Sequence, residues 1–214
     1  QTCALPISHA TDPTLNSTPF PHFSLLGLIP ALLLGSALLI SPIPAHAAQI
    51  TGLESPNSFI GDQQGKEFFI SNVNGEPEVR DNNGFITKVD AEGKILNLKF
   101  IQGGISDVML HAPKGMALVD KILYVADLDQ IKGFDKTTGK PSVSIPFPSA
   151  AGKSVSLTDV AAGPNGILYA SDQTGNAIYR VDQTAGNRVS LLLHDDRLAG
   201  PAGIAVHPRT EIGR

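Results

Sequence analysis

One phrase recurs along this chain and constrains its fold more than any other feature. Thr158-Asp-Val-Ala-Ala-Gly-Pro-Asn-Gly-Ile-Leu-Tyr-Ala-Ser-Asp172 reads as a short strand, a Pro-Asn-Gly turn and a second strand ending in Asp. Gly115-Met-Ala-Leu-Val-Asp-Lys-Ile-Leu-Tyr-Val-Ala-Asp127 repeats it upstream, and Gly203-Ile-Ala-Val-His-Pro208 begins it again. Tyr124 and Tyr169 stand 45 residues apart. A strand–turn–strand unit of that period cannot bury both faces alone, so successive copies must stack on one another.

The repeat extends beyond the phrase. After Leu-Tyr-x-Ala/Ser-Asp comes Ile-x-x-apolar-Asp and then a Gly, giving Ile131, Phe134, Asp135 and Gly139 in one copy and Ile178, Val181, Asp182 and Gly186 in the next. A more diverged first copy contains Phe69-Ile-Ser-Asn72, Ile86-Thr-Lys-Val-Asp90 and Gly93, with a long insertion between its second and third strands. Each copy holds four strand candidates, which is one propeller blade. Turn signals stand between the runs at Asn83-Gly84, Glu92-Gly93, Thr138-Gly139, Asn165-Gly166 and Ala185-Gly186. From Gln49 onward no stretch carries a helical apolar stripe over three turns. The fold class expected is all-β, a β-propeller with about three and a half blades present.

Composition excludes several classes of function. Apolar residues are 42% and charged residues 17% of the 214, and the formal net charge is −4 without a Lys/Arg cluster. That is neither a disordered composition nor one suited to a phosphate backbone, so no nucleic-acid partner is expected. Cys3 is the only cysteine, which leaves no internal disulfide and no Cys-rich metal site. His111, His194 and His207 lack His-x-His or His-Glu-x-x-His spacing, so no zinc site is expected.

The N-terminal region reads differently from the rest. Residues 1–7 and 211–214 look like translated adaptor sequence, an artefact flanking a fragment. Within 8–47, a proline-rich polar stretch precedes Leu25 to Ile40, sixteen uncharged residues, and Ala45-x-Ala47 supplies the small-x-small pattern of a signal-peptidase site. Sixteen residues fall short of the ~20 that span a bilayer. A signal peptide is therefore expected, with no membrane span after its removal and a periplasmic or secreted location. The propeller domain is expected over 48–210.

The repeat, over roughly Leu53 to Pro208, resembles six-bladed propellers of the gluconolactonase, regucalcin and NHL-repeat type. The resemblance implies six blades when the ring is complete. Lactonase members of that group hold one divalent metal, often calcium, over the central channel through a Glu, an Asn and an Asp at innermost-strand starts. Hard oxygen ligands suit such a cation, and it would polarise a lactone carbonyl for attack by water. Glu54-Ser-Pro56 resembles the group's Glu-Ser/Gly-Pro motif, while counting back from Asn72 puts Asn57 at the strand start instead; Glu54 and Asn57 are alternative metal ligands. Thr158-Asp159 stands where the lactonases carry Asn-Asp, and Ala202-Gly203 where Asn-Gly would hold the metal. Lys114, Thr158 and Asp159 are the expected ligand-binding residues at the channel mouth, where the Lys114 cation could bind an anion or take the place of a metal.

Other polar residues have structural readings. Asp127 and Asp172 are expected to cap loops, and Asp135 and Asp182 to open the following hairpin turns. Ser71 and Ser171 lack a Gly-x-Ser-x-Gly setting for a nucleophile. The insertion Asn74-Gly-Glu-Pro-Glu-Val-Arg-Asp-Asn-Asn83 is expected to loop over one face as a solvated segment, with oxygens enough for a surface calcium ion. The expected function is an exported propeller that binds a small molecule or protein partner at its central channel. The alternative is a calcium-dependent lactone or ester hydrolase.

Overall fold

The computed structural model describes residues 49–62, 66–149 and 152–207. All of them fall in the second of the chain's two compact units, Ala45–Arg214. The adaptor-like ends and the expected signal segment lie outside the described residues. Among those described, no helix is long and apolar enough to cross a membrane.

Three four-stranded antiparallel meanders follow one another along the chain. The first contains β1 (Pro56–Gly61), β2 (Glu67–Asn72), β3 (Phe85–Asp90) and β4 (Ile95–Gln102). The second contains β5 (Pro113–Val119), β6 (Ile122–Asp127), β7 (Gln130–Asp135) and β8 (Pro141–Pro146). The third contains β9 (Leu157–Ala162), β10 (Ile167–Asp172), β11 (Ala177–Asp182) and β12 (Arg188–His194). Strands pair in chain order in every sheet. β6 and β10, the two copies of the recurring phrase, pair with the strands that follow them without a slip: Ile122 opposes Asp135, and Ile167 opposes Asp182.

Turn chemistry explains the hairpins. Asn165 and Gly166 both take positive φ, at 56° and 70°, the combination that suits the right-handed twist of two strands. Asp135 Oδ1 accepts from the Thr137 and Thr138 amides, and Gly139 closes the turn at a φ of 72°. Asp182 repeats this with Thr184, Ala185 and Gly186. The acidic openers of these turns were legible in sequence. Asn83-Gly84 is a different case and corrects the expected turn. Gly84 leads directly into β3, and a Cβ there would lie 2.3 Å from the Pro113 ring and 2.7 Å from the His111 carbonyl. Glycine is required at that point because two backbones meet, with no reversal of the chain.

Alternation along each strand builds two cores, one on each face of the middle blade. Leu123 and Val125 of β6 face the first blade and pack with Phe69, Ile86 and Met116. Tyr124 and Ala126 face the third blade and pack with Leu168, Ala170 and Tyr179. Phe147 meets Tyr179 edge-on at 5.2 Å, and the Tyr179 hydroxyl donates to the Pro148 carbonyl. β5 is packed against both β1 and β9 and is buried over its first five residues, whereas no residue of β1 is fully buried. The outer strand β12 leaves Leu191, Leu192 and Leu193 exposed.

The expected opening strand of a fourth blade forms no ladder among the described residues. Residues 201–207 run alongside β9, held by side chains. The Thr158 and Ser171 hydroxyls donate to the Pro201 and Ala202 carbonyls at 2.9 and 2.6 Å, and the Ile204 amide donates to Asp159 at 2.9 Å. These residues bond side chains of the third blade and not the backbone of a neighbouring strand.

Candidate functional site

The site is assembled from two sets of equivalent positions. The first comprises the ends of the second strands: Asn72, Asp127 and Asp172, all fully or almost fully buried. Each accepts backbone N–H bonds from the segment that leads into the innermost strand of its own blade. Asn72 Oδ1 accepts from Glu54, Asp127 from His111 and Ala112, and Asp172 from Ser156. Burial pushes the Asp127 carboxyl above its usual range, while the Ala112 and His111 amides pull it back. Asp172 also accepts from the Gly175 amide. Both aspartates bond loops, in agreement with the reading from sequence.

With the entering segments held, the innermost strands start in register. Pro56, Pro113 and Leu157 pair with Asn72, Asp127 and Asp172, so the next residues, Asn57, Lys114 and Thr158, occupy equivalent places. Serine hydroxyls link one blade to the next: Ser71 donates to the Lys114 carbonyl at 2.7 Å, as Ser171 does to Ala202. Asn57, Lys114, Thr158 and Asp159 line one open cleft of about 470 Å³, together with Glu78, Gln173 and Gly203. Structure thus brings four of the five residues singled out from sequence to one place. The fifth, Glu54, is exposed and is not among the residues lining the cleft. Only Asn57 of the two alternative ligands faces it.

Lys114 is the charged centre of this cleft. Its side chain is 6% exposed, and Nζ lies 2.8 Å from Glu78 Oε1 and 3.2 Å from Ser156 Oγ. Ser156 Oγ donates to the same Glu78 oxygen at 2.8 Å. Glu78 comes from the insertion after β2, which therefore returns over this cleft. Further along the same segment, Arg80 pairs with Asp129 at 2.7 Å, and Asn82 bonds the Leu110 amide and the His111 ring. Sequence reasoning placed this insertion over a face of the molecule but could not pair Glu78 with Lys114. Ser156 and Gln173 went unnoticed because neither stands in a motif.

Asp159 does a different job. Its carboxylate accepts from the Val160 and Ile204 amides, at 2.8 and 2.9 Å. Burial pushes its carboxyl above the usual range, and these two amides partly offset that. It presses so closely on β5 that a Cβ at Gly115 would fall 1.9 Å from Oδ1. Thr158 is likewise committed, its hydroxyl bonded to the Pro201 carbonyl.

The donor set does not fit the divalent cation that the family resemblance implied. Glu78 is paired with Lys114, Asp159 with two amides and Thr158 with a carbonyl, while Ala202 offers no side-chain oxygen. Among the described residues, no three His, Cys, Asp or Glu side chains are grouped to hold a metal. An ammonium group stands at the innermost-strand start of the second blade. A second cation beside it would be repelled.

No protein-family model matches the chain, and no curated protein matches it. Comparison with solved structures is informative about the fold. A chain from the crystal structure of a nidogen/laminin complex superposes with a TM-score of 0.52 at 17% identity, over 72% of this chain and 53% of that one. The fold is a β-propeller. A luciferin-regenerating enzyme matches with a TM-score of 0.47 at 14% identity, over 65% of this chain and 45% of its own. A regucalcin from Agrobacterium tumefaciens, described as a calcium-binding protein, matches with a TM-score of 0.45 at 20% identity, over 64% and 44%. The propeller described here spans about half the length of the solved chains it matches.

Proposed function

We propose that this chain is part of an exported, periplasmic or secreted propeller that binds a small polar molecule at the mouth of its central channel. The observation that carries the reading is the convergence of Asn57, Lys114 and Thr158, from three successive blades, on one cleft of about 470 Å³. That volume lies in the range of small-molecule sites. Side chains at these equivalent places differ in charge and size, as expected where a repeat has been adapted to a ligand and not to its own packing.

A binding screen of small acids, polyols and sugars against the purified chain tests this. Asn57 is exposed at the cleft wall, so Asn57→Trp should fill the cleft without disturbing the core. Loss of binding in that variant, with an unchanged circular dichroism spectrum, is the expected result. Undiminished binding would overturn the reading. A calcium titration by calorimetry on the same protein addresses the hydrolase alternative. Tight calcium binding abolished by Glu54→Gln or Asn57→Ala would replace the binding reading with a metal-dependent hydrolase of lactones or esters.

A further inference from the structure

Resting on the binding reading, we propose that the ligand of this cleft carries a carboxylate, and that Glu78 is the chain's own stand-in for it, displaced when the ligand arrives. The two partners of the Lys114–Glu78 pair are held very differently. Lys114 belongs to β5, its carbonyl is fixed by Ser71, and its side chain is 6% exposed. Ser156 is buried, and its amide is fixed by Asp172. A buried ammonium and a buried hydroxyl are thus aimed at one point from the rigid blades. The carboxylate that meets them is 57% exposed and comes from the insertion between β2 and β3.

A buried cation requires an anion beside it, whereas an exposed carboxylate loses little by returning to water. Exchange of Glu78 for a carboxylate from solution keeps both bonds, Nζ to oxygen and Ser156 hydroxyl to oxygen, and frees the loop side chain. The remaining polar groups lining the cleft are the Asn57 and Gln173 amides, the Ser58 and Thr158 hydroxyls, and the Asp159 carboxylate, whose two oxygens are taken by the Val160 and Ile204 amides. They suit the hydroxyl or carbonyl groups of an organic acid and offer no second cation for a phosphate or a dianion. The base of the insertion is tied independently by the Asn74 amide to the Asn83 carbonyl, so release of Glu78 does not require the whole segment to leave.

The test compares glycerate, lactate and benzoate with glyceramide, lactamide and benzamide, by calorimetry on the wild type, Glu78→Gln and Lys114→Met. The acids should bind and the amides should not. Because Glu78 competes only as a half-exposed pair, its removal should tighten acid binding about three- to fivefold. Lys114→Met should abolish it. If Lys114→Met fails to fold, the comparison of Glu78→Gln with wild type decides alone. In the wild type, acid binding should speed hydrogen exchange at the Val79 amide, which is bonded to the Glu76 carbonyl in the closed loop. Equal acid affinities in wild type and Glu78→Gln, or amides binding as well as acids, would overturn the proposal. Binding of a neutral polyol that is lost in Asn57→Trp, with no acid bound, would overturn it while leaving the mouth-binding reading intact.

Discussion

At the ends of the second strands, Asn72, Asp127 and Asp172 occupy equivalent places, have nearly the same shape and hold the same kind of backbone amide. One strand inward, Asn57, Lys114 and Thr158 also occupy equivalent places but share only their backbone. The difference teaches how to read this repeat. A side chain that recurs is satisfying a need of the blade, which is the same in every copy. A side chain that changes while the backbone stays is free of that shared need: Asn57 and Lys114 are turned to the cleft, and Thr158 holds residues 201–202.

Substitutions at the recurring positions should therefore cost stability; at the varying positions, those of Asn57 and Lys114 should cost binding, and those of Thr158, bonded to the Pro201 carbonyl, a smaller amount of stability. The largest effect is expected at Asp127. Its replacement by Ala leaves the buried His111 and Ala112 amides without an acceptor, and should destabilise the protein by about 3 kcal/mol. Asp127→Asn should cost much less, because Asn72 already performs this task in the first blade. Urea denaturation of the two variants checks the pair. Equal losses would mean that charge, not amide acceptance, is what the position supplies.

Gly115→Ala should come next, at about 2 kcal/mol, because its Cβ would fall 2.5 Å from the Asp159 backbone as well as against its carboxylate. The same measurement applies, and a neutral result would show that β5 and β9 can separate. A smaller loss, about 1 kcal/mol, is expected for Thr158→Val, which removes the hydroxyl bonded to Pro201. Hydrogen exchange should then quicken at the Ile204 amide. Unchanged exchange there would mean that Asp159 and Ser171 suffice to hold residues 201–207.

The smallest effect separates the turns from both sets. The Thr138 amide and hydroxyl, followed by the Thr137 amide, hold the Asp135 carboxyl below its ordinary range. A depressed folded pKa stabilises the protein above the unfolded value of about 3.9, and that contribution is lost as pH falls through the folded value. The stability gap between wild type and Asp135→Asn should be full at pH 6 and close below about pH 4. A gap independent of pH would remove the ionic component from the turn.

Much of the architecture was legible because it depends on short-range rules. Leu-Tyr-x-Ala/Ser-Asp marks a strand whose alternate residues face opposite neighbours, and β6 divides in that way between the two cores. Asn165-Gly166 is a turn because both residues tolerate positive φ. Asn83-Gly84 carries the same letters and makes no turn, because a strand from the next blade lies against Gly84. Repeat register also brought Asn57 and Lys114 forward as candidates, since equivalent positions in stacked blades face the same side, and the family resemblance brought Thr158 and Asp159. Glu54 entered on a motif alone and does not face the cleft.

Sequence by itself determined the three four-stranded blades, the turn chemistry of Asp135 and Asp182 and the innermost-strand starts that line one side of the cleft. Each follows from a periodicity or a neighbour within a few residues. Tertiary structure alone decided that the insertion returns over the cleft and that Glu78 meets Lys114 and Ser156. The insertion has no second copy to set its register, and the pairing spans 36 residues to one partner and 78 to the other. Only the packing of three blades brings that ammonium, hydroxyl and carboxylate to one point.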